Sequence, residues 1–305
     1  MKLLQKMLSQ ITDKNITSVV RDYLIPGGIR LHTETLCCNN RNNKHRALFL
    51  HGGGASGNHS IVRRPAMWLI TNGFFDEVIL PDRRGAGSSS PFTELTTTDE
   101  LARDMKLLLD EMKIAEPISV IASSYGGPIA LTHASIDKRV EKVILLASGP
   151  LLTITKGSLS LPFRLGILIP AIKFIIWLFA GRAHYEGYVD LDFVYSIRTI
   201  PGYIWAQIRI LRKMKRSMIK SMFLQVRSVF MKENISLGEN VRVNVPVRQV
   251  IGSKDTVWEK NIPVKYLKNM PLFNQTIIHG ASHKDIFFRA EEFLMGAVKE
   301  EGSEE

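Results

Sequence analysis

Four short runs of apolar, β-favouring residues constrain this chain more than any other feature: 46–50, 77–80, 118–122 and 142–146. A strand that is apolar at successive positions hides both of its faces. The segments 99–113 and 126–136 lie between these runs and space their apolar residues at helical intervals. Buried strands alternating with helices predict a parallel sheet covered on both sides. Upstream, 19–25 and 29–36 flank Pro26-Gly27-Gly28 and predict a hairpin. After Pro150 the rhythm breaks: 151–240 reads as helices only. Strands resume at 245–251 and 273–278, and 284–299 closes the chain as a helix. The expectation is therefore a core built from 1–150 and 241–305, with 151–240 inserted as a helical cap. The first ten residues set Lys2 and Lys6 among leucines and predict a short amphipathic helix rather than a secretory signal. The tail 300–305 is expected to fray.

Composition narrows the classes. With 305 residues, 45% apolar and 23% charged, the chain can bury a large core, and a mean hydropathy of +0.02 excludes disorder. Cys37 and Cys38 are adjacent, which rules out a disulfide framework and a cysteine-based zinc cluster. A reducing, cytoplasmic setting follows, although a cysteine-poor secreted protein would look the same. The most apolar stretch, 160–181, is interrupted by Pro162, Arg164, Pro170 and Lys173 and is too short between charges to span a bilayer. The net charge is +11, and 151–245 holds 14 Lys and Arg against 5 Asp and Glu, a local excess of 9. That asymmetry points to an anionic partner for the cap, such as a membrane surface or an acidic substrate. No nucleic-acid reading motif is present.

Ligands of parallel sheets bind beyond the carboxyl ends of the strands. The strand 118–122 runs straight into Ser123-Ser124-Tyr125-Gly126-Gly127 and then a helix. A serine with small residues two before and two after it fits a very tight turn that exposes its hydroxyl at a helix amino terminus. For Ser123 those flanking positions hold Ile121 and Tyr125, which do not fit. For Ser124 they hold Ala122 and Gly126, which do. Ser124 is the candidate nucleophile.

With these residues the chain resembles the α/β-hydrolase superfamily, from about Val19 to the final helix. Ala122-Ser123-Ser124-Tyr125-Gly126 matches the elbow Gly-x-Ser-x-Gly, with one added methyl at Ala122. His51-Gly52-Gly53-Gly54 stands where the superfamily keeps its oxyanion loop. Asp82-Arg83-Arg84-Gly85-Ala86-Gly87-Ser88-Ser89 resembles Asp-x-Arg-Gly-x-Gly-x-Ser. The proline iminopeptidase-like branch is the nearest pattern. The resemblance implies an α/β-hydrolase fold with a mostly parallel eight-stranded sheet, and a Ser–acid–His order along the chain. His283, in Gly280-Ala281-Ser282-His283, is then the base, with His279 the alternative. Asp255, in Gly252-Ser253-Lys254-Asp255, is the orienting acid, with Glu259 the fallback. The backbone N–H groups of Tyr125 and Gly53 are the expected oxyanion donors, Gly52 being next in line. Asp82 and Arg84 are expected to hold the loop beside the site.

The cap should set specificity. In 202–231, Ile204, Ile208, Leu211, Met214, Met218, Met222 and Val226 share one helical face, and Arg209, Arg212, Lys213, Arg216 and Lys220 crowd the other. Packing and solvation account for both stripes, and contact with an anionic membrane is the sharper reading. Gly52, Gly54, Trp177 and Tyr185 are candidate substrate contacts. The few cap carboxylates, and Gly54, Arg83 and Tyr125 in place of the branch's usual residues, argue against an aminopeptidase. The reading is a serine hydrolase for an ester, or related acyl bond, of a small, largely apolar substrate, with no cofactor and no metal. An iminopeptidase-like aminopeptidase and a non-catalytic ligand receptor of the same fold are the alternatives.

Overall fold

A computed structural model of the chain describes residues 15–39, 45–52, 58–152, 221, 224, 228, 237, 238, 241–283 and 285–298. Eight strands form one sheet in the order β1-β2-β4-β3-β5-β6-β7-β8. They are β1 (Ile16–Ile25), β2 (Ile29–Cys38), β3 (Arg46–Leu50), β4 (Glu77–Pro81), β5 (Ile118–Ser123), β6 (Val140–Leu146), β7 (Val247–Gly252) and β8 (Phe273–Ile278). β1 and β2 pair antiparallel across the expected hairpin, β2 runs antiparallel to β4, and the remaining pairings are parallel. The fold is the mostly parallel eight-stranded one expected.

Alternation along each strand builds two cores. In β3, Leu48 and Leu50 face one side with Val120 and Ala122 of β5, under α2 (Thr98–Glu111) and α3 (Gly126–Ile136). Ala47, Phe49 and Ile121 face the other, under α1 (Ser60–Thr71) and α6 (Ala290–Val298). Each such apolar side chain, fully buried, contributes roughly 1.5–3 kcal/mol. α2 starts on a capping box: Glu100 N–H donates to Thr97 Oγ1 at 3.2 Å, and Thr97 N–H to Glu100 Oε2 at 2.7 Å.

Several boundaries differ from the sequence reading. β2 runs on to Cys38, two residues beyond the expected 29–36, so the two cysteines end a strand. The closing helix is two, α5 (Asp285–Phe288) and α6, after a short α4 (Val264–Leu267). Helix α1 was not predicted, because Pro65 lies inside it and removes one backbone donor. The leading helix, the tail and nearly all of the expected cap fall outside the described residues. Among the described cap residues, Ser221, Leu224 and Ser228 are helical. Phe92 N–H donates to Ser221 Oγ at 2.7 Å and Thr96 N–H to Ser228 Oγ at 3.0 Å. Two hydroxyls outside the expected apolar stripe, those of Ser221 and Ser228, therefore meet the loop after β4. Among the described residues no helix is long and apolar enough to cross a membrane.

Candidate active site

The turn between β5 and α3 carries Ser124 at φ +46°, a left-handed conformation that costs a non-glycine residue roughly 1–2 kcal/mol. The surroundings hold it there. Ser124 N–H donates to the Leu146 carbonyl at 3.2 Å, Gly127 N–H donates to the Ser124 carbonyl at 3.0 Å, and Ser148 Oγ–H donates to that carbonyl as well. A Cβ on Gly126 would lie 2.7 Å from the Leu50 carbonyl oxygen, and one on Gly127 would overlap Ser148 Oγ. Only glycine lets α3 start this close to β3 and β6.

Ser124 Oγ–H donates to His283 Nε2 at 3.0 Å, and His283 Nδ1–H donates to Asp255 Oδ2 at 3.0 Å. The second carboxylate oxygen, Oδ1, accepts the backbone N–H groups of Val257 at 2.8 Å and Trp258 at 3.1 Å. Burial alone would raise the Asp255 pKa. The His283 hydrogen bond and charge, with the two backbone donors, outweigh it and hold the group below the usual carboxylate range. Asp255 is therefore ionised at neutral pH and fixes the imidazole tautomer that leaves Nε2 free to take the serine proton.

Two loops bring acid and base together. A Cβ on Gly252 would lie 2.6 Å from the Ala281 carbonyl carbon, so this close approach requires glycine. Lys254 N–H donates to the Ala281 carbonyl at 2.8 Å, Ser253 N–H to Ile278 at 3.0 Å, and Gly280 N–H to Ser253 Oγ at 2.9 Å. The two alternatives are not used: His279 is exposed, and Glu259 Oε1 accepts from Asn261 N–H at 3.3 Å. Ser123 Oγ is buried with no hydrogen-bond partner among the described residues.

Tyr125 stands at the start of α3 with its ring buried. Gly52 abuts the nucleophile, since a Cβ there would lie 3.1 Å from Ser124 Cβ. Gly53, Gly54, Trp177 and Tyr185 lie outside the described residues. His51 Nδ1–H donates to the Gly52 carbonyl at 2.8 Å and its Nε2 accepts Arg83 N–H at 3.3 Å. Burial, with the nearby Arg83 charge, pushes the His51 pKa down to about 3, so the ring is neutral. Arg83 is buried, with Nη2–H donating to the same Gly52 carbonyl at 2.9 Å and its guanidinium 5.2 Å from the Tyr125 ring centre. Burial lowers its pKa to about 10, which leaves it charged at pH 7. No local sequence pattern marks these contacts of Arg83, Ser148, Val257 and Trp258, which are made to or by backbone groups.

The loop 82–89 is braced as expected. Asp82 Oδ1 accepts His59 N–H at 2.7 Å and Oδ2 accepts Ser88 N–H at 2.7 Å, while Arg84 pairs with Asp104 at 2.9 Å. His32, His59 and Asp82 are a group with metal-ligand chemistry, their ligand atoms within 4.8 Å of one another. His59 Nδ1 meets Asp82 and His32 Nδ1 meets Asp22, both at 2.8 Å. Through these bonds His59 and Asp82 brace the loop.

A hydroxyl in a tight turn, a base within reach and an ionised acid behind it suit nucleophilic attack on a carbonyl. The comparisons agree on the fold. The chain superposes on 2-hydroxy-6-oxo-6-phenylhexa-2,4-dienoate hydrolase from Rhodococcus sp. strain RHA1 with TM-score 0.66, 15% identity, and 92% and 98% of the two chains covered. The enol-lactonase from Burkholderia xenovorans LB400 gives 0.61, 16%, and 90% and 96%. A thermophilic esterase from Thermogutta terrifontis gives 0.60, 16%, and 90% and 94%. No curated protein matches by sequence. The model of the alpha/beta hydrolase family matches residues 47–295, most of the chain and all three members of the hydrogen-bonded series, and the protein belongs to that family.

Proposed function

We propose that this chain is a serine hydrolase that cleaves a carboxylic ester, or related acyl bond, of a small and largely apolar substrate. The observation that carries the reading is the unbroken relay from Ser124 Oγ through His283 to Asp255, with both links at 3.0 Å. Ser124 Oγ attacks the carbonyl carbon while its proton moves to His283 Nε2. The electron pair displaced onto the carbonyl oxygen is met by backbone donors, Tyr125 N–H at the helix start and the N–H of residue 53. Collapse breaks the bond to the alcohol, which leaves with the proton from His283. Water, deprotonated by the same imidazole, then releases the acid and restores Ser124. Ester preference rests on the apolar cap sequence and the scarcity of cap carboxylates to hold a substrate amine.

The test is labelling with a fluorophosphonate beside hydrolysis of p-nitrophenyl esters of increasing chain length and of amino-acid naphthylamides. Labelled wild type, unlabelled Ser124→Ala and turnover of the esters support the reading. Folded wild type that takes no label favours the receptor alternative, and faster turnover of the naphthylamides favours the aminopeptidase.

A further inference from the structure

Ser148 follows β6, is fully buried, and its Oγ–H donates to the Ser124 carbonyl, which also accepts Gly127 N–H at 3.0 Å. Two donors thus converge on one amide oxygen. The nitrogen of that amide belongs to Tyr125, at the N-cap of α3, where backbone N–H groups have no acceptor within the helix. No peptide bond among the described residues is cis. In a planar trans amide the N–H leaves on the side opposite the oxygen, so the Tyr125 N–H points away from Ser148 Oγ. Hydrogen bonds to an amide oxygen draw electron density through the C–N bond and strengthen the N–H as a donor.

The surroundings fix where this hydroxyl stands. A Cβ on Gly127 would overlap Ser148 Oγ, and one on Gly149 would lie 2.7 Å from Gln249 Nε2. Gln249, fully buried, donates from Nε2–H to the Ser148 carbonyl at 2.7 Å. Gln275 Nε2–H donates in turn to Gln249 Oε1 at 2.6 Å and to the Lys260 carbonyl at 2.8 Å. Ala147, just before Ser148, sits at φ +44°, a left-handed conformation unfavourable for any residue but glycine, and its N–H donates to the Val250 carbonyl at 2.8 Å. A strained residue and two side-chain amides therefore hold Ser148 against the nucleophile turn.

We propose that Ser148 is a positioning residue for the oxyanion: its hydrogen bond to the Ser124 carbonyl orients and polarises the 124–125 amide, whose N–H meets the negative oxygen formed on attack at Ser124. This rests on the hydrolase reading above.

The probe is a long-chain alkyl trifluoromethyl ketone. Ser124 Oγ adds to its carbonyl carbon, the serine proton passes to His283, and the carbonyl electron pair becomes an oxyanion. Ser148→Ala removes the hydroxyl, while Ser148→Thr and Ser148→Val have one shape and differ only in it. Ser148→Ala is expected to lose about tenfold in ketone affinity and in kcat, less than the roughly 10²–10³ lost with an oxyanion donor outright. KM stays within about twofold and the pH profile of kcat/KM does not move. Ser148→Thr outperforms Ser148→Val by a similar factor. A folded Ser148→Ala that binds the ketone as wild type does overturns the proposal. So does a loss carried by KM alone, a shifted pH profile, or equal activity of the Thr and Val variants. If that bulkier pair fails to fold, Ser148→Ala decides by the same readouts. Failure of Ser148→Ala to fold makes Ser148 a stability residue and also overturns the proposal. Wild type that reacts with neither ketone nor fluorophosphonate sinks the hydrolase reading itself. Reactive wild type with an unaffected Ser148→Ala sinks this inference alone.

Discussion

Asp255 shows how one side chain couples folding to chemistry. Its two oxygens serve different masters: Oδ2 faces His283, and Oδ1 is tied to the backbone at Val257 and Trp258. Asp255→Asn keeps the shape but presents an amide where Nδ1–H must donate, which turns the imidazole to the wrong tautomer. We expect kcat for an activated ester to fall by about 10⁴ with the fold intact, by analogy with the same change in a serine protease. Steady-state kinetics alongside circular dichroism check this. The folded pKa of Asp255 lies below its ordinary 3.8. In that window the unfolded chain binds the extra proton, so stability rises with pH across it. The stabilisation is present above pH 3.8 and is lost as pH falls through the lower folded value. Denaturant midpoints of wild type and Asp255→Asn should therefore converge on acidification below that point.

Among elements, the brace joining β2, α1 and the loop after β4 is the part a sequence hides best. Glu34, 1% exposed, accepts from Arg63 Nε–H at 2.8 Å and sits 3.5 Å from His59 Nε2, while His59 Nδ1 meets Asp82 at 2.8 Å. Burial alone would lower the His59 pKa, but the Asp82 hydrogen bond and the charges of Asp82 and Glu34 outweigh it and raise the value above 6.5. The protonated ring thus stabilises the fold fully below 6.5, and that contribution disappears as pH rises through the folded pKa. His59→Gln should cost about 3 kcal/mol at pH 6 and progressively less towards pH 9, read from urea melts at each pH. The strands were legible because continuous apolar runs have few other uses, and the elbow because only small residues suit its turn. Helix α1 was obscured by Pro65, and the brace joins positions 34, 59, 63 and 82, whose meeting no local pattern encodes. Ser124, Asp255 and His283 were legible through their order along the chain. Arg83 was not, because its partner is a backbone carbonyl.

For the whole molecule, charge is the least evenly spread property. Of a net +11, the span 151–245 carries an excess of 9. We propose that this segment rests on anionic lipid and delivers apolar substrate to the site. Replacing Arg209, Arg212, Lys213, Arg216 and Lys220 with glutamine should weaken sedimentation with vesicles containing phosphatidylserine at least tenfold, given about 1 kcal/mol per cation. Unchanged sedimentation would retire the membrane contact while leaving the hydrolase reading in place. The relay has a further consequence, because its hydroxyl and imidazole stand 159 residues apart. On the ribosome Ser124 emerges long before the imidazole that accepts its hydroxyl proton in the hydrogen bond. A nascent polypeptide, however completely its first strands have paired, cannot close the hydrogen bond from Ser124 to His283 until position 283 clears the exit tunnel.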